Sequence, residues 1–267
     1  MKLQLFEWYK MTILGLSTAQ IQTFAINGTM AIFILIIGSS VLRRNSKSRL
    51  NRSFFLFYFF VAFGLVINVA YRLINVEIYM IWMNRITLFF STFAIIFLFN
   101  FNMIIYHSEQ VYTRKKAWLW VILWAIACSG FFWLDIENGV QWDFNSTQPG
   151  IQSLLINPNS AGVPAWSTLF TLYALVIAQG LFILIIVTAV RIVLKFGDAR
   201  LRRKYISSFI AIILFDWILV GNMINNWTVI QDIFTFAAIP FSTIFLYSSV
   251  LVIPAVILLW LGIRKRD

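Results

Sequence analysis

The residue of this chain best placed to do chemistry is Asp216. It lies near the middle of the apolar stretch 205–227, YISSFIAIILFDWILVGNMINNW. Such a stretch is long enough to cross a bilayer, which takes ~20 apolar residues. A charge at that depth costs at least ~2.5–3.5 kcal/mol on insertion scales, so it normally faces protein or water. We therefore predict that Asp216 contacts polar groups of neighbouring helices.

Polar partners for Asp216 are available on two other apolar stretches. Counting from the ends of the stretches places Gln179 at about the depth of Asp216, and Tyr247 not far from it. These side chains could form a hydrogen-bonded core around the carboxylate. One interpretation is a polar contact between helices, which stabilises a bundle by ~0.6–2 kcal/mol. The other is a ligand pocket, a proton-linked switch or an ion site, and the sequence leaves both open.

A second polar group is predicted toward one end of the bundle. A stripe at i, i+4, i+8 and i+11 on one helix face consists of Gly64, Asn68, Arg72 and Asn75. Glu77, Arg85 and Asp232 lie at a similar depth, so an ionic cluster that faces a ligand is one interpretation. In the other, the two arginines reach lipid headgroups from helix ends. The ligand or switch candidates are Asp216, Gln179, Arg72, Arg85, Asn68, Asp232 and Tyr247.

The residue inventory argues against an enzyme. The chain has one histidine, His107, and one cysteine, Cys128. Neither a Ser-His-Asp triad nor a cluster of metal ligands can be assembled from them. The sequence contains no HExxH or Walker motif, and no lysine inside an apolar stretch that could bind retinal covalently. We therefore expect neither a metal nor a cofactor.

Composition places the chain in a membrane. Hydrophobic residues make up 61% and charged residues 12% of its 267 residues, and the mean hydropathy is +0.84. A soluble domain has about twice that charged fraction. The net charge of +11 comes from basic residues in short loops, which is typical of inner loops of membrane proteins rather than of a nucleic-acid surface. We expect a lipid bilayer as the partner and no nucleic acid.

The apolar stretches predict an all-α integral membrane protein, a seven-transmembrane-helix bundle. The predicted spans are about 21–42, 53–74, 83–106, 117–134, 166–194, 205–227 and 233–263. An interfacial segment, 1–20, precedes the bundle (21–263), and a tail, 264–267, follows it. One long loop, 135–165, separates the fourth and fifth spans.

Charge predicts the orientation of these spans. Basic residues concentrate in the loops 43–52, 107–116 and 195–204, whereas the loop 135–165 has three acidic residues and no basic residue. Basic loops stay on the cytoplasmic side. This places the N-terminus outside and the C-terminus inside a multi-pass protein of the cell membrane, with its basic loops available to a cytoplasmic signalling partner.

The layout resembles a known family. The resemblance rests on the basic loop LRRNSKSRLNR (42–52) before an aromatic second span, the long proline-bearing loop, and the linker GDARLRRKYI (197–206) before the sixth span. In these features the chain is similar to the N-terminal seven-helix sensor region of microbial histidine kinases. The resemblance implies a bundle that senses a signal and passes it to a cytoplasmic output domain. Here the resemblance covers roughly 20–263 and no output domain follows, so we expect a stand-alone sensor acting through a partner.

The sequence thus favours a receptor-like membrane sensor that passes an outside or membrane signal inward by helix rearrangement. One alternative is a small solute transporter or proton-linked channel centred on Asp216. Transporters often contain internal repeats with broken helices, and the two halves of this chain show no convincing repeat. Another alternative is a structural or assembly subunit without a ligand.

Overall fold

A computed structural model of the chain describes residues 27–71, 77–143, 151–153, 157–228, 254–255 and 257–258. These residues are mostly helical. The long helices among them are α1 (Thr29–Arg44), α2 (Arg49–Tyr71), α3 (Glu77–Val111), α4 (Arg114–Trp133), α5 (Thr168–Lys195) and α6 (Ala199–Asn225). Three strands, β1 (Val140–Asp143), β2 (Ile151–Ser153) and β3 (Asn157–Trp166), lie between α4 and α5.

Within this described part, five helices are long and apolar enough to cross a membrane, namely Arg49–Ala70, Ile78–Val111, Arg114–Trp133, Thr168–Lys195 and Ala199–Gly221. The chain is therefore a multi-pass membrane protein. These helices coincide, within a few residues at most ends, with the second to sixth predicted spans. The first predicted span is described from residue 27 onward, and most of that part belongs to α1, which has 16 residues. The segment 1–20, most of the seventh predicted span and the tail 264–267 lie outside the described residues.

Side chains cap two of the helices and the turn between α1 and α2. Thr113 precedes α4, and its side chain accepts a hydrogen bond from the Lys116 backbone N–H. Ser167 precedes α5 and accepts in the same way from Phe170. Between α1 and α2, the Asn45 side chain accepts from two backbone N–H groups of the turn. Such side chains satisfy donors that the first turn of a helix leaves unpaired.

The central helix is α3, which packs against α2, α4 and α5. It is also the most buried of the five long apolar helices. Much of its contact with α2 is aromatic: Phe60 of α2 stacks on Phe97 at 5.3 Å between ring centroids and meets Phe93 edge-on at 5.3 Å. Offset and edge-on pairs of this kind contribute beyond their buried area. Position and packing therefore make α3 the element that α2, α4 and α5 share.

Nearer its start, α3 approaches α2 closely at Gly64. A Cβ atom at this position would lie 2.5 Å from the Ser91 Oγ and 3.3 Å from the Thr87 carbonyl oxygen. Small residues allow helix backbones to approach where lipid provides no hydrophobic drive for association. The polar stripe predicted on α2 thus begins with a glycine that is needed for packing against α3.

The loop 135–165 differs from the expectation, because it contains a small sheet. The strand order is β1-β3-β2, and both pairings are antiparallel, with Val140 opposite Trp166 and Ile151 opposite Gly162. Two of its prolines, Pro158 and Pro164, lie within β3. The chain is therefore a helical bundle with a sheet, rather than all-α.

Charge and strands divide the bundle into two ends. The Arg49 guanidinium donates to the Glu109 carbonyl oxygen at 3.1 Å, and the Lys195 ammonium lies 3.8 Å from the centroid of the Tyr106 ring. These contacts bring the segments 43–52, 107–116 and 195–204 together, and we name this the basic end. The opposite end, with the turn after α4 and the strands, is the sheet end.

The packing at Gly64 can be tested with Gly64→Ala. We expect a lower melting temperature in detergent, because overpacking costs ~1–3 kcal/mol and exceeds the gain in helix propensity. Ser91→Ala in the same protein should restore part of the loss, since it removes the nearest atom. Gly180→Ala is the matched control, because nothing lies within 4 Å of its Cβ position. Equal melting temperatures for the Gly64 and Gly180 variants would contradict the close contact.

Candidate functional site

The candidate site at the sheet end is built around the C-terminus of α4. The last carbonyl groups of a helix have no partner within it, and a membrane interior offers no water to them. One of them, Gly130 O, accepts from the Leu134 backbone N–H at 2.8 Å. The others need donors from elsewhere in the protein.

Arg85 of α3 supplies these donors. One terminal nitrogen, Nη1, donates to the carbonyl oxygens of Phe131 and Leu134 at 3.0 and 3.1 Å. The other, Nη2, lies 2.8 Å from Asp135 O and 3.4 Å from Ile136 O. The side chain is only 1% exposed. The planar guanidinium thus caps α4 from a neighbouring helix, and its forked donors suit several acceptors at once.

Three features compensate the buried charge of Arg85. The C-terminus of α4 carries the negative end of the helix dipole, which favours a cation. The carboxylate of Asp135 interacts favourably with the guanidinium and is oriented by the Ser167 hydroxyl, which donates to its Oδ2 at 2.5 Å. The guanidinium also lies 4.9 Å from the centroid of the Phe170 ring. Burial of an arginine is tolerable only with partners of this kind.

The chain after α4 is shaped to present its carbonyls to Arg85. Asp135 has φ 47°, a left-handed conformation that aspartate adopts more readily than most residues. The Gly139 backbone N–H closes this turn by donating to Asp135 O at 2.6 Å. A Cβ atom at Gly139 would lie 2.4 Å from that same oxygen and 2.9 Å from the Arg85 Nη2. Glycine is therefore required here for close approach.

A second set of contacts extends the site to α6. The Trp166 side chain is 1% exposed, and its indole N–H donates to Asn84 Oδ1 of α3 at 3.2 Å. The backbone N–H of Trp166 donates to Asn226 O, just after α6, at 2.6 Å. The Trp227 indole donates to the Thr168 hydroxyl at the start of α5. We call Asn84, Arg85, Asp135, Gly139 and Trp166 the sheet-end cap, which connects four helices.

These contacts argue against one of the two interpretations of Arg85, contact with lipid headgroups, and leave the ionic cluster a prediction. A side chain this buried does not reach lipid headgroups, and all four of its hydrogen-bond acceptors described above are backbone carbonyls. Its proposed neighbours Arg72 and Asp232, and the side chain of Glu77, lie outside the described residues. Asn68 is placed on α2, where its Oδ1 accepts from Asn27 Nδ2 at 3.3 Å.

The predicted contact of Asp216 with Gln179 is present. Gln179 Nε2 of α5 lies 3.1 Å from each carboxylate oxygen of Asp216 on α6. Asp216 is half-buried. Tyr247, the third predicted member of this core, lies outside the described residues. The pair joins two helices within the apolar part of the bundle and leaves the structural and functional interpretations of Asp216 both open.

Toward the basic end, Asn100 and Asn102 in the C-terminal half of α3 accept hydrogen bonds from tyrosines. The Tyr112 hydroxyl donates to Asn100 Oδ1 at 2.5 Å, and the Tyr205 hydroxyl of α6 donates to Asn102 Oδ1 at 2.8 Å. Both asparagines are buried. Together with the sheet-end cap, these contacts give α3 polar attachments at both ends.

The sequence predicted a polar group around Arg85 but did not assign Asp135, Gly139 and Trp166 to it. The available signals were a lone glycine after two acidic residues and a tryptophan directly before the capping Ser167. In the part of the chain that the structure describes, no group of three or more His, Cys, Asp and Glu side chains could hold an ion.

Comparisons of the chain with family models, with curated proteins and with solved structures give no match. The site must therefore be interpreted from its own geometry.

The capping role of Arg85 predicts a large loss of stability in Arg85→Met. Four carbonyl groups each lose a hydrogen bond, and breaking such a buried charged network costs about 3–5 kcal/mol. Arg85→Lys should lose less, because an ammonium keeps the charge but cannot reach all four acceptors. Thermal unfolding in detergent measures both. Arg203→Met, an exposed arginine at the basic end, is the control, and equal melting temperatures for the two methionine variants would contradict the role.

Proposed function

We propose that this protein is a receptor-like membrane sensor. The observation that carries the proposal is the double attachment of α3. Near its start, Asn84 and Arg85 belong to the sheet-end cap; farther along, Asn100 and Asn102 bond tyrosines at the basic end. The 18 residues from Asn84 to Asn102 correspond to a rise of ~27 Å, so one helix joins the two surfaces across most of a bilayer.

The proposed arrangement has seven crossings, with the N-terminus outside and the C-terminus inside. The basic end then faces the cytoplasm, in keeping with the distribution of lysine and arginine in membrane proteins. The sheet and its cap face the outside. The contacts between the three basic segments support this arrangement, because they place the positive charge at one end.

Transmission would use small shifts of α3 relative to its neighbours. Helices at packed interfaces move by ~1–2 Å in known switches. A ligand or membrane change that moves the strands alters the turn at Asp135, and this turn holds the guanidinium of Arg85 through backbone carbonyls. The resemblance to sensor regions of histidine kinases supports the same direction of signalling, with a cytoplasmic partner at 43–52, 107–116 and 195–204.

Coupling between the two ends of the bundle is tested by distorting the sheet-end cap without changing its charge. Two spin labels are placed at the basic end, on Lys47→Cys and Gly197→Cys, in a Cys128→Ala background. Gly139→Ala crowds the Asp135 turn, so we expect the distance between labels to shift by about 2 Å or to broaden, as for helix rearrangements of this kind. Double electron–electron resonance spectroscopy measures this distance in lipid nanodiscs.

The control for this experiment is Gly180→Ala, on α5 with open space at its Cβ position. It should leave the distance distribution unchanged. A Gly139→Ala protein that remains folded, with the same distribution as the control, would remove the support for a sensor.

A second candidate is a proton-linked transporter or channel, which the half-buried Asp216 favours. A carboxylate held by one neutral amide donor can exchange a proton more readily than one in an ion pair. In this case Asp216 carries the proton and Gln179 orients it.

Asp216→Asn separates the candidates. For a sensor, we expect liposomes with the wild-type protein to pass protons no faster than empty ones. The free energy of unfolding of the variant should then fall by at most ~0.6–2 kcal/mol, as for loss of a polar contact between helices. A pH-sensitive dye and thermal unfolding measure the two quantities. Proton flux in the wild type that disappears in Asp216→Asn, with stability retained, would establish transport instead, whereas loss of stability without flux in either protein fits a structural role.

A further inference from the structure

A cavity opens at the basic end between the last turns of α3 and the first turns of α4. Its volume is about 190 Å³, and it is lined by Met103, His107, Val111, Tyr112, Lys116, Leu119 and Trp120. Pockets for drug-sized molecules are usually ~300–1,000 Å³. The space therefore suits a small headgroup better than a whole organic ligand. It lies far from the sheet-end cap and makes no use of Asp216.

The lining of this cavity combines polar side chains with apolar ones. Lys116 and His107 stand among the basic residues of 107–116. Leu119 and Trp120 begin the apolar part of α4, and both are well exposed, as is Trp118 beside them. Tryptophan and leucine directly after a basic turn are typical of the boundary between headgroups and acyl chains. The cavity thus lies where a phospholipid changes from polar to apolar.

Positive charge is concentrated beside the cavity, in the first turn of α4, where the helix dipole disfavours cations. The first turn of α4 contains Arg114, Lys115 and Lys116 and no acidic residue. A helix N-terminus carries the positive end of the dipole, so each of these cations is disfavoured at its position. The Lys116 ammonium donates one hydrogen bond to Val111 O at 3.2 Å. An anion in the adjacent cavity would relieve the mutual repulsion of these groups.

The wall formed by α3 is held in an unusual backbone conformation. Ser108, next to His107, has φ 70° and ψ 162°, a region that is essentially restricted to glycine. The chain after this break is fixed from two sides: Arg49 donates to Glu109 O, and Tyr112 donates to Asn100. Burial raises the pKa of Tyr112 to about 12, with Arg49 acting in the opposite sense, so its phenol remains a donor. The cavity is thus a fixed feature.

We propose that this cavity binds the phosphate-bearing headgroup of an anionic glycerophospholipid, with Lys116 and His107 on the phosphate side and Leu119 and Trp120 against the start of an acyl chain. Basic pockets between helices are suited to such headgroups. The inference rests on the chain lying in a membrane and not on its role as a sensor. A free phosphate would use the same polar residues but would leave Leu119 and Trp120 without a contact.

Native mass spectrometry of the delipidated full-length protein tests this proposal. Phosphatidylglycerol and phosphatidylcholine are added separately, and retained lipid is counted for the wild type and for Lys116→Gln. We expect one retained phosphatidylglycerol and about tenfold weaker retention in the variant, as for loss of one charge-assisted contact. Lys47→Gln, an exposed lysine in another basic loop, changes the net charge equally and should retain the lipid.

The apolar lining is tested with Trp120→Ala, which should also weaken retention, against Trp118→Ala, which alters a neighbouring tryptophan outside the cavity. Thermal unfolding with added inorganic phosphate identifies the source of the anion. Equal effects of Lys116→Gln and Lys47→Gln, or equal retention of phosphatidylcholine, would overturn the proposal. Stabilisation by phosphate alone that matches phosphatidylglycerol would overturn the lipid as occupant. Melting curves establish that each variant is folded.

Discussion

The structure depends on one buried cation placed against the carbonyl end of a helix. Arg85 projects from the central helix α3 and donates to four carbonyl oxygens at the end of α4 and in the turn beyond it. Neither group is stable alone in a dry environment, because an arginine without partners and carbonyls without donors each cost free energy. Together they fix the angle at which the chain leaves α4. The strands and the start of α5 then follow from that direction, through Gly139, Val140 and Ser167.

The same helix joins two surfaces of different character. At the sheet end, Arg85 of α3 donates to backbone carbonyl groups, and Asn84 accepts a hydrogen bond from the Trp166 indole. At the basic end, asparagines of α3 are hydrogen-bonded to Tyr112 and Tyr205. Between these attachments lies the aromatic contact with α2, in which the rings of the two helices interdigitate. A helix that is fixed at both ends and closely packed between them transmits displacement instead of absorbing it, which is the physical basis for the proposed sensor.

The sequence predicted what hydrophobic length determines. Five of the predicted spans coincide with described helices. Counting along the apolar stretches also placed Gln179 and Asp216 at one depth, and the two side chains are in contact. The sheet was not predicted, since its strands are short and contain Pro158 and Pro164, which favour turns in isolation. The environment of Arg85 was also not predicted. Whether an arginine near a helix end reaches solvent or turns inward depends on which carbonyls a distant segment presents, and periodicity contains no information about that.

Hydrogen exchange in residues 134–140 tests most directly whether Arg85 organises the sheet end. The Leu134 and Gly139 amides are hydrogen-bonded within the turn that the guanidinium holds. In lipid nanodiscs, these amides should be protected in the wild type and should exchange about 100-fold faster in Arg85→Met, as expected for local opening, while the interior of α5 remains protected. Equal exchange of residues 134–140 in both proteins, with Arg85→Met folded, would contradict the account.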